Sequence, residues 1–169
     1  MSPYFTVSPD EWTFSHNSHG RPEIHRPELS PSLSFNISRT EYAAACLIAS
    51  SMDCGIDIES PANIDDVSLL SESVLSSHEM ASLNNLGEDM VKECILVHWT
   101  LKESYLKALG IGLSVSLPAI SFRIGHDNNA ELVSELQIPG RASNWQFTTI
   151  KLANEHAMPV TLRGENNPD

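Results

Sequence analysis

The sequence predicts a single α+β domain in which antiparallel strands pack on a long helix. Three observations support this class. Short apolar stretches alternate with polar connections from Leu33 to Ile58, a helical apolar period follows, and alternation of period two returns after Gly110. The chain has 169 residues, of which 41% are hydrophobic, so it can bury one core and is too short for two full domains.

Prolines are concentrated at the start of the chain, where five of the ten lie within the first 32 residues. Because proline fixes φ and removes a backbone donor, residues 1–32 are expected to form an extended arm or a series of turns. Residues 33–163 are expected to form the domain. Residues 164–169 carry no apolar anchor and are expected to fray.

Three adjacent strands are predicted in the first part of the domain, because short apolar stretches are separated by short polar connections. The connections lie at residues 38–40 and 50–53. The strands are expected at Leu33–Ile37, Tyr42–Ala49 and Cys54–Ile58.

Helices are predicted between residues 65 and 110, where apolar residues recur every three or four positions. Gly87 and Gly110 stand where C-terminal caps are expected. Ser76 and Glu79 fit a capping box at the start of a helix, in which each residue satisfies a backbone donor of the other.

The last part of the domain is predicted to contain antiparallel strands, since apolar and polar residues alternate again. Turns are expected at residues 125–129 and at Pro139-Gly140. The strands are expected at Ile120–Ile124, Glu131–Leu136 and Trp145–Leu152.

The charge balance argues against a nucleic-acid partner. Ten Lys and Arg face 22 Asp and Glu, which gives a net charge of -12 and a field that repels phosphate backbones. No apolar run approaches the roughly 20 residues that a bilayer crossing needs, and no signal peptide is visible, so no membrane partner is expected. Three cysteines without C-x-x-C spacing favour a reducing cytoplasm over a disulfide framework or a zinc site.

The first candidate for chemistry is the strand Gly55–Glu59. Asp57 and Glu59 are expected on one face while Ile56 and Ile58 hold the other face in the core. Paired carboxylates at a strand end suit Mg²⁺, which takes oxygen ligands. The alternative is an amphipathic edge strand with a solvated acidic face.

The second candidate is a stripe on the long helix. Trp99, Glu103 and Lys107 are spaced by four residues, so an aromatic ring, a carboxylate and an ammonium share one face. The alternative is a surface helix with an ordinary exposed Glu–Lys pair, which contributes only about 0.3–0.5 kcal/mol.

Four ordered motifs stand along the chain: Trp12-x-Phe14 leading to Gly20-Arg21-Pro22, Phe35-Asn36-Ile37-Ser38, Gly55-Ile56-Asp57-Ile58-Glu59 and Trp99 to Lys107. Together they resemble the Sfp-like branch of the 4'-phosphopantetheinyl transferase superfamily. The resemblance implies the α+β fold of that family, with its first pseudo-symmetric half incomplete because the chain starts shortly before the first motif. It also implies transfer of 4'-phosphopantetheine from coenzyme A to a serine of an acyl or peptidyl carrier protein, with Mg²⁺ at the pyrophosphate.

The resemblance also implies roles for individual residues. Glu103 is expected to act as general base as well as metal ligand, and Lys107 is expected to stabilise the leaving group. At the position where the branch usually has histidine this chain has Arg39, which can bind phosphate without titrating near neutral pH. The implied magnesium ligands are Asp57, Glu59 and Glu103, and the implied contacts to coenzyme A phosphates are Gly20, Arg21, Pro22, Ser38 and Arg39.

Two other functions remain open at this stage. The chain is either an active transferase or a non-catalytic remnant of the same fold that binds a carrier or oligomerises. An unrelated Mg²⁺-dependent phosphotransfer domain is the weakest alternative, because no nucleoside-triphosphate loop is present. Glu79 also matches a carboxylate that the family often has in the segment facing the carrier, which competes with its capping role.

Overall fold

The computed structural model confirms a mixed α+β fold and describes residues 6–60, 66–84, 86–112, 114–125, 127, 129–135, 145–151 and 157–163. The strands form two two-stranded sheets and one five-stranded sheet, and the five-stranded sheet packs on a long helix. Among the helices of the described ranges, none has the length and apolar character needed to span a bilayer. The strands are β1 (Thr13–His16), β2 (Pro22–Arg26), β3 (Leu33–Arg39), β4 (Ala44–Ser50), β5 (Asp53–Ile56), β6 (Ile120–Ile124), β7 (Asn129–Glu135), β8 (Trp145–Lys151) and β9 (Ala157–Arg163), and the helices are α1 (Val67–Val74), α2 (Ser77–Ser82) and α3 (Glu88–Leu109).

The amino-terminal stretch differs from the expected extended arm, because its middle forms the antiparallel hairpin β1–β2. Gly20, at φ 84°, allows the tight turn between the two strands. Phe14 packs edge-on against Phe35 with ring centroids 5.5 Å apart. Asn17 Nδ2 donates to the carbonyl of Gly110 at 2.8 Å, and Arg21 Nη1 donates to the carbonyl of Ala108 at 2.7 Å. The last carbonyls of a helix have no intrahelical partner. The two hydrogen bonds from Asn17 and Arg21 supply donors to such carbonyls and hold the hairpin against the end of α3.

The three early strands form close to the predicted positions, but β4 begins at Ala44 and β5 ends at Ile56, so that Asp57 follows the strand. The three strands are not all neighbours. β3 and β4 pair antiparallel along their whole length. β5 instead pairs with β9, a strand that the sequence reading did not predict. The β5–β9 ladder ends at the pair of Ile56 and Val160. The residue of β9 that precedes Val160 is Pro159, which has no N–H to donate. That proline also weakens the strand signal of residues 157–163.

The five-stranded sheet has the antiparallel order β5-β9-β8-β7-β6. Its strands at 120–124, 131–135 and 145–151 agree with the sequence prediction. The predicted turn at 139–140, residues 136 and 152 and the tail at 164–169 lie outside the described residues.

The helical region contains two short helices and one of 22 residues. Gly110 ends α3 in the left-handed conformation, at φ 67°, as predicted for a C-terminal cap. The prediction for Gly87 was wrong, because Gly87 is the N-cap of α3 with an extended backbone at φ -69°. Ser76 and Glu79 form the predicted capping box.

Helix α3 is held by apolar cores on two sides. Around Tyr105, aromatic rings meet edge to face, with centroids 6.1 Å from Phe122 and 5.6 Å from Phe147. On another side, α3 packs against the end of α1. The buried residues are Leu101, Tyr105, Leu106, Ile120, Phe122 and Phe147 in the first cluster, and Val74, Leu75 and Ile95 in the second.

A buried ion pair between Glu79 of α2 and Lys102 of α3 connects the two helices inside the protein. Lys102 Nζ lies 2.5 Å from Glu79 Oε2 and donates to the carbonyl of Val74 at 2.7 Å. Glu79 also accepts from the backbone N–H groups of Ser76, at 2.7 Å, and Phe122, at 2.8 Å. One carboxylate therefore joins α2, α3 and β6. Glu79 is 2% exposed and is used by these bonds, which favours its capping role over direct contact with a carrier.

The ion pair shapes the titration of its neighbours. Burial raises the pKa of Glu79, but the hydrogen bonds from Lys102 and the Phe122 N–H outweigh burial and the net pKa is lowered. His98 Nε2 lies 3.8 Å from Glu79 Oε1, and His98 Nδ1 lies 2.8 Å from the carbonyl oxygen of Cys94. Burial lowers the pKa of His98 although the Glu79 charge opposes the change.

The substitution Lys102→Met is expected to destabilise the fold by about 3–5 kcal/mol, because it leaves the Glu79 charge buried without its partner. Adding Glu79→Gln should recover part of this loss, since the uncompensated charge is then removed. Urea unfolding of the wild type, both single variants and the double variant measures the coupling.

The exposed pair of Lys92 and Glu88, 3.1 Å apart on α3, provides the control. Lys92→Met should change the free energy of unfolding by less than about 1 kcal/mol. Equal effects of Lys92→Met and Lys102→Met would contradict the role of the buried pair.

Acidification is expected to destabilise the protein through His98. Its folded-state pKa lies below the ordinary value of 6.5, so the unfolded chain takes up a proton that the folded chain resists. The free energy of unfolding should fall as pH drops below about 6.5, by at most about 1.4 kcal/mol per pH unit from this group. The replacement His98→Gln should flatten the profile measured from pH 7.5 to 5, whereas His78→Gln, at an exposed position on α2, should leave it unchanged.

Candidate functional site

The segment that directly follows β5 and one face of α3 form two walls of a single cavity, which the end of β3 also lines. Ile56 and Ile58 are buried, at 4% and 1% exposure, and hold the strand end in the core as predicted. The intervening Asp57 and the following Glu59 face the cavity. The cavity measures about 560 Å³ and is lined by Ile37, Ser38, Arg39, Asp57, Glu59, Trp99, Glu103 and Lys107.

The cavity brings together residues that are far apart in the chain. The three carboxylates proposed as metal ligands, the predicted helical stripe and the two predicted phosphate contacts on β3 all line it. This arrangement argues against the solvated edge strand and against the ordinary surface helix. The tight spacing of four along α3 places the aromatic ring, the carboxylate and the ammonium on the same face, as the helical period requires.

Asp57 and Lys107 connect the two walls directly. Lys107 Nζ lies 2.6 Å from Asp57 Oδ1, 3.0 Å from Ser38 Oγ and 3.4 Å from the carbonyl of Ile56. Asp57 is buried and the Lys107 side chain is 30% exposed, so the ammonium stands at the boundary between core and cavity. The pair fixes the carboxylate of the strand against the helix.

Ser38 holds β3 to the end of β5. Its hydroxyl donates to Asp57 Oδ1 at 2.9 Å and accepts from the backbone N–H of Ile58 at 3.3 Å. Two positions earlier, Asn36 Oδ1 accepts from the N–H of Ile56 at 3.2 Å. The backbone N–H groups of Ile56 and Ile58 are therefore bound by side chains of β3 and not by the backbone of a neighbouring strand. The sequence reading did not find Asn36, although the alternation of Asn36 and Ser38 on one strand face is the signal for it.

The electrostatic environment of Glu103 is strongly influenced by its neighbours. Burial raises the pKa of Glu103, and the negative charges of Asp57 and Glu59 raise it further. Lys107 and a hydrogen bond with Trp99 act in the opposite direction. A cation in this cavity would reduce the repulsion between the carboxylates.

In the described part of the chain, no group of three or more His, Cys, Asp or Glu side chains is arranged to hold a metal ion. Mg²⁺ commonly uses only one or two protein carboxylates and completes its shell with water and substrate phosphates. The oxygen donors that line the cavity fit this mode of binding.

A second cavity of about 210 Å³ adjoins the first and shares Ile37 and Lys107 with it. The three remaining predicted phosphate contacts, Gly20, Arg21 and Pro22, lie here. The Nε of Arg21 is buried and has no hydrogen-bond partner within the described ranges, so the guanidinium retains a donor. The remaining lining residues are His19, Asn36, Gly110 and Gly112. His19, Gly110 and Gly112 were not predicted as site residues, because only the docking of the hairpin on α3 brings them there.

Comparison with known proteins gives consistent results. The family model of the 4'-phosphopantetheinyl transferase superfamily matches residues 53–161. Among curated relatives, the 4'-phosphopantetheinyl transferase HetI of Nostoc sp. is 29% identical over 111 residues, which cover 66% of this chain and 47% of HetI. The 4'-phosphopantetheinyl transferase pptA of Paxillus involutus is 30% identical over 165 residues, covering 88% of this chain and 60% of pptA. The 4'-phosphopantetheinyl transferase Sfp of Bacillus subtilis is 28% identical, covering 100% of this chain and 71% of Sfp.

Solved structures show the same fold. The holo-(acyl-carrier-protein) synthase of Bacillus anthracis, solved in complex with CoA (3',5'-ADP), aligns with a TM-score of 0.56 at 22% identity, over 67% of this chain and 96% of that one. The holo-[acyl-carrier-protein] synthase of Thermotoga maritima aligns with a TM-score of 0.56 at 19% identity, over 68% and 64%.

The extent of the matches differs between the chain and its relatives. The chain spans about half the length of the first curated relatives, 47% of HetI and 60% of pptA. The family model nevertheless covers more than half of this chain. The chain belongs to the 4'-phosphopantetheinyl transferase superfamily.

Proposed function

We propose that this protein transfers 4'-phosphopantetheine from coenzyme A to a serine hydroxyl of an acyl or peptidyl carrier protein, in an Mg²⁺-dependent reaction. The observation that carries this proposal is the cavity in which Asp57 and Glu59 from the end of β5 face Glu103 and Lys107 from α3. Membership of the superfamily supports the reaction type, and the names of the curated relatives support the transferred group.

The balance of the reaction defines what the site must do. The serine oxygen forms a new bond to the phosphorus that carries the pantetheine arm, and the pyrophosphate bond of coenzyme A breaks. Adenosine 3',5'-bisphosphate leaves with the negative charge of the broken bond, and the serine proton goes to a base. The protein therefore needs a proton acceptor near the serine and positive charge near the pyrophosphate.

Mg²⁺ would take its one or two protein ligands from Asp57, Glu59 and Glu103, since hard oxygen donors suit this ion and all three line one cavity. When bound, the ion neutralises charge that develops on the transferred phosphoryl group. The same carboxylate cluster would repel a pyrophosphate without a cation, which supports the dependence on Mg²⁺.

Glu103 and Lys107 are proposed as the catalytic residues. Glu103 accepts the serine proton, and its partly buried position excludes much of the water that would otherwise solvate the carboxylate. Lys107 borders both cavities and stabilises the charge of the leaving group as its ammonium.

The phosphates of coenzyme A are proposed to contact Gly20, Arg21 and Pro22 in the second cavity and Ser38 and Arg39 in the first. Guanidinium groups suit phosphate because they offer several donors in one plane. The Ser38 hydroxyl already donates to Asp57, so its contact requires the proton to be redirected. We also infer a cytoplasmic location, because all three cysteines are free thiols.

Incubation of an apo carrier protein with coenzyme A, Mg²⁺ and this protein should raise the carrier mass by one phosphopantetheine group, as measured by mass spectrometry. Glu103→Gln should lower kcat by about 10²–10⁴-fold, because the proton acceptor and one metal ligand are lost. Glu88→Gln, at an exposed position on the same helix, should leave kcat unchanged. Carrier binding without any mass change would contradict the enzyme and favour the non-catalytic remnant.

Mg²⁺ and coenzyme A are expected to stabilise the protein cooperatively. Because the pyrophosphate completes the coordination shell, the Tm shift with both ligands should exceed the sum of the separate shifts. Asp57→Asn should abolish the part of the Tm shift that exceeds this sum. Differential scanning fluorimetry measures the shifts with each ligand alone and with both ligands, for the variant and for the wild type. Strictly additive shifts in the wild-type protein would exclude a shared site.

A further inference from the structure

We infer that Gly55 is a positioning residue for the transfer reaction, because its missing side chain sets the distance between the two walls of the cavity. This inference rests on the proposed function and assigns a role to a residue that contacts neither cavity. Gly55 lies outside the lining of both cavities, at the place where strand β5 packs against helix α3.

The backbones of β5 and α3 are in direct contact at this position. Gly55 is buried in β5, two residues before Asp57. A Cβ placed on Gly55 would overlap the carbonyl oxygen of Ser104, and it would lie 2.7 Å from the backbone nitrogen and 3.0 Å from the Cβ of Ala108. Real Cβ atoms do not approach other atoms so closely, so only glycine permits this packing.

Glycine is required here for space and not for backbone conformation. Among the glycines of the described ranges, those with positive φ are Gly20, Gly110 and Gly112, and Gly55 does not belong to them. An alanine could therefore adopt the local backbone geometry, and its whole effect would come from pressure on α3. The two nearest atoms are backbone atoms, which cannot rotate out of the way as a flexible side chain can.

The contact lies next to the residues that the reaction needs. Ser104 directly follows Glu103, and Ala108 directly follows Lys107. On the strand side, Asp57 is held at 2.6 Å from Lys107. Any displacement of α3 at Ser104 and Ala108 therefore separates the carboxylate of Asp57 from the helical residues that complete the site.

The rest of α3 remains anchored when this contact is disturbed. Lys102 is held by Glu79, and Leu101 and Tyr105 are buried in the first core cluster. A methyl group at position 55 should thus move the segment near Ser104 and Ala108 without undocking the helix. Misplacement of reacting groups by about 1 Å can reduce a rate by about 10²-fold.

The test compares Gly55→Ala with two controls in the whole 169-residue chain. Gly87→Ala makes the same chemical change at a glycine that has no atom within 4 Å of the added Cβ. Ile95→Val removes a methyl group from the second core cluster and serves as a destabilised variant with an intact site. Transfer by the wild type is measured first, so that failure of the proposed function is recognised separately.

Gly55→Ala should lower kcat by about 10–100-fold, at a temperature where circular dichroism shows a folded protein, with little change in the KM for the carrier. Both controls should retain the wild-type kcat. Introducing Asp57→Glu into Gly55→Ala should restore part of the activity, because the longer side chain extends the carboxylate by one bond of about 1.5 Å. In the wild-type background the same Asp57→Glu change should reduce kcat.

A wild-type kcat in folded Gly55→Ala would overturn the inference, as would a loss shared equally with Ile95→Val or an absence of rescue by Asp57→Glu. If Gly55→Ala does not fold, Ala108→Val presses on the same contact from the helix side and should lower kcat in the same way. Should neither variant fold, or should Ala108→Val keep the wild-type kcat, the contact is purely structural and the inference is wrong.

Discussion

The ion pair between Glu79 and Lys102 fixes the rotation of α3 about its own axis, and the geometry of the site depends on that rotation. Lys102 points into the core, where it also binds the carbonyl of Val74. Its neighbour Glu103 is about 100° further around the helix, since an α-helix has 3.6 residues per turn. With Lys102 held, Glu103 is directed into the cavity. A buried charge tolerates no alternative orientation, because each one would leave it without a partner.

The site is assembled from elements that belong to different sheets. β3 belongs to a two-stranded sheet and β5 to the edge of the five-stranded sheet. The side chains of Asn36 and Ser38 connect the two sheets, because they accept hydrogen bonds from the backbone N–H groups of Ile56 and Ile58. The strand end that carries Asp57 is thus held by polar side chains on one side and by a helix backbone on the other. This enclosure explains how an acidic side chain remains buried with a fixed direction.

Much of this arrangement follows from local sequence patterns. Alternation predicts β3 and β4, the helical period predicts α3, and the spacing of Asp57 with Glu59 and of Glu103 with Lys107 identifies both walls of the cavity. The remainder depends on contacts distant in the chain. Pro159 weakens the sequence signal for strand β9, and the position of β9 beside β5 is set by tertiary pairing. The role of Gly55 is visible only when α3 lies against it. The boundaries at residues 33 and 163 and the individual roles of the site residues stay predictions.

The amino-terminal hairpin changes the electrostatics at the end of α3. A helix carries a partial negative charge at its C-terminus, from carbonyls that lack intrahelical donors. The second cavity lies beside this end, at Gly110 and Gly112, where such a field would disfavour an anion. Asn17 and Arg21 cover the carbonyls of Gly110 and Ala108, and Arg21 brings a full positive charge with it. The hairpin therefore adds a full positive charge beside the negative end of the helix dipole, so that the second cavity presents a cation at the helix end.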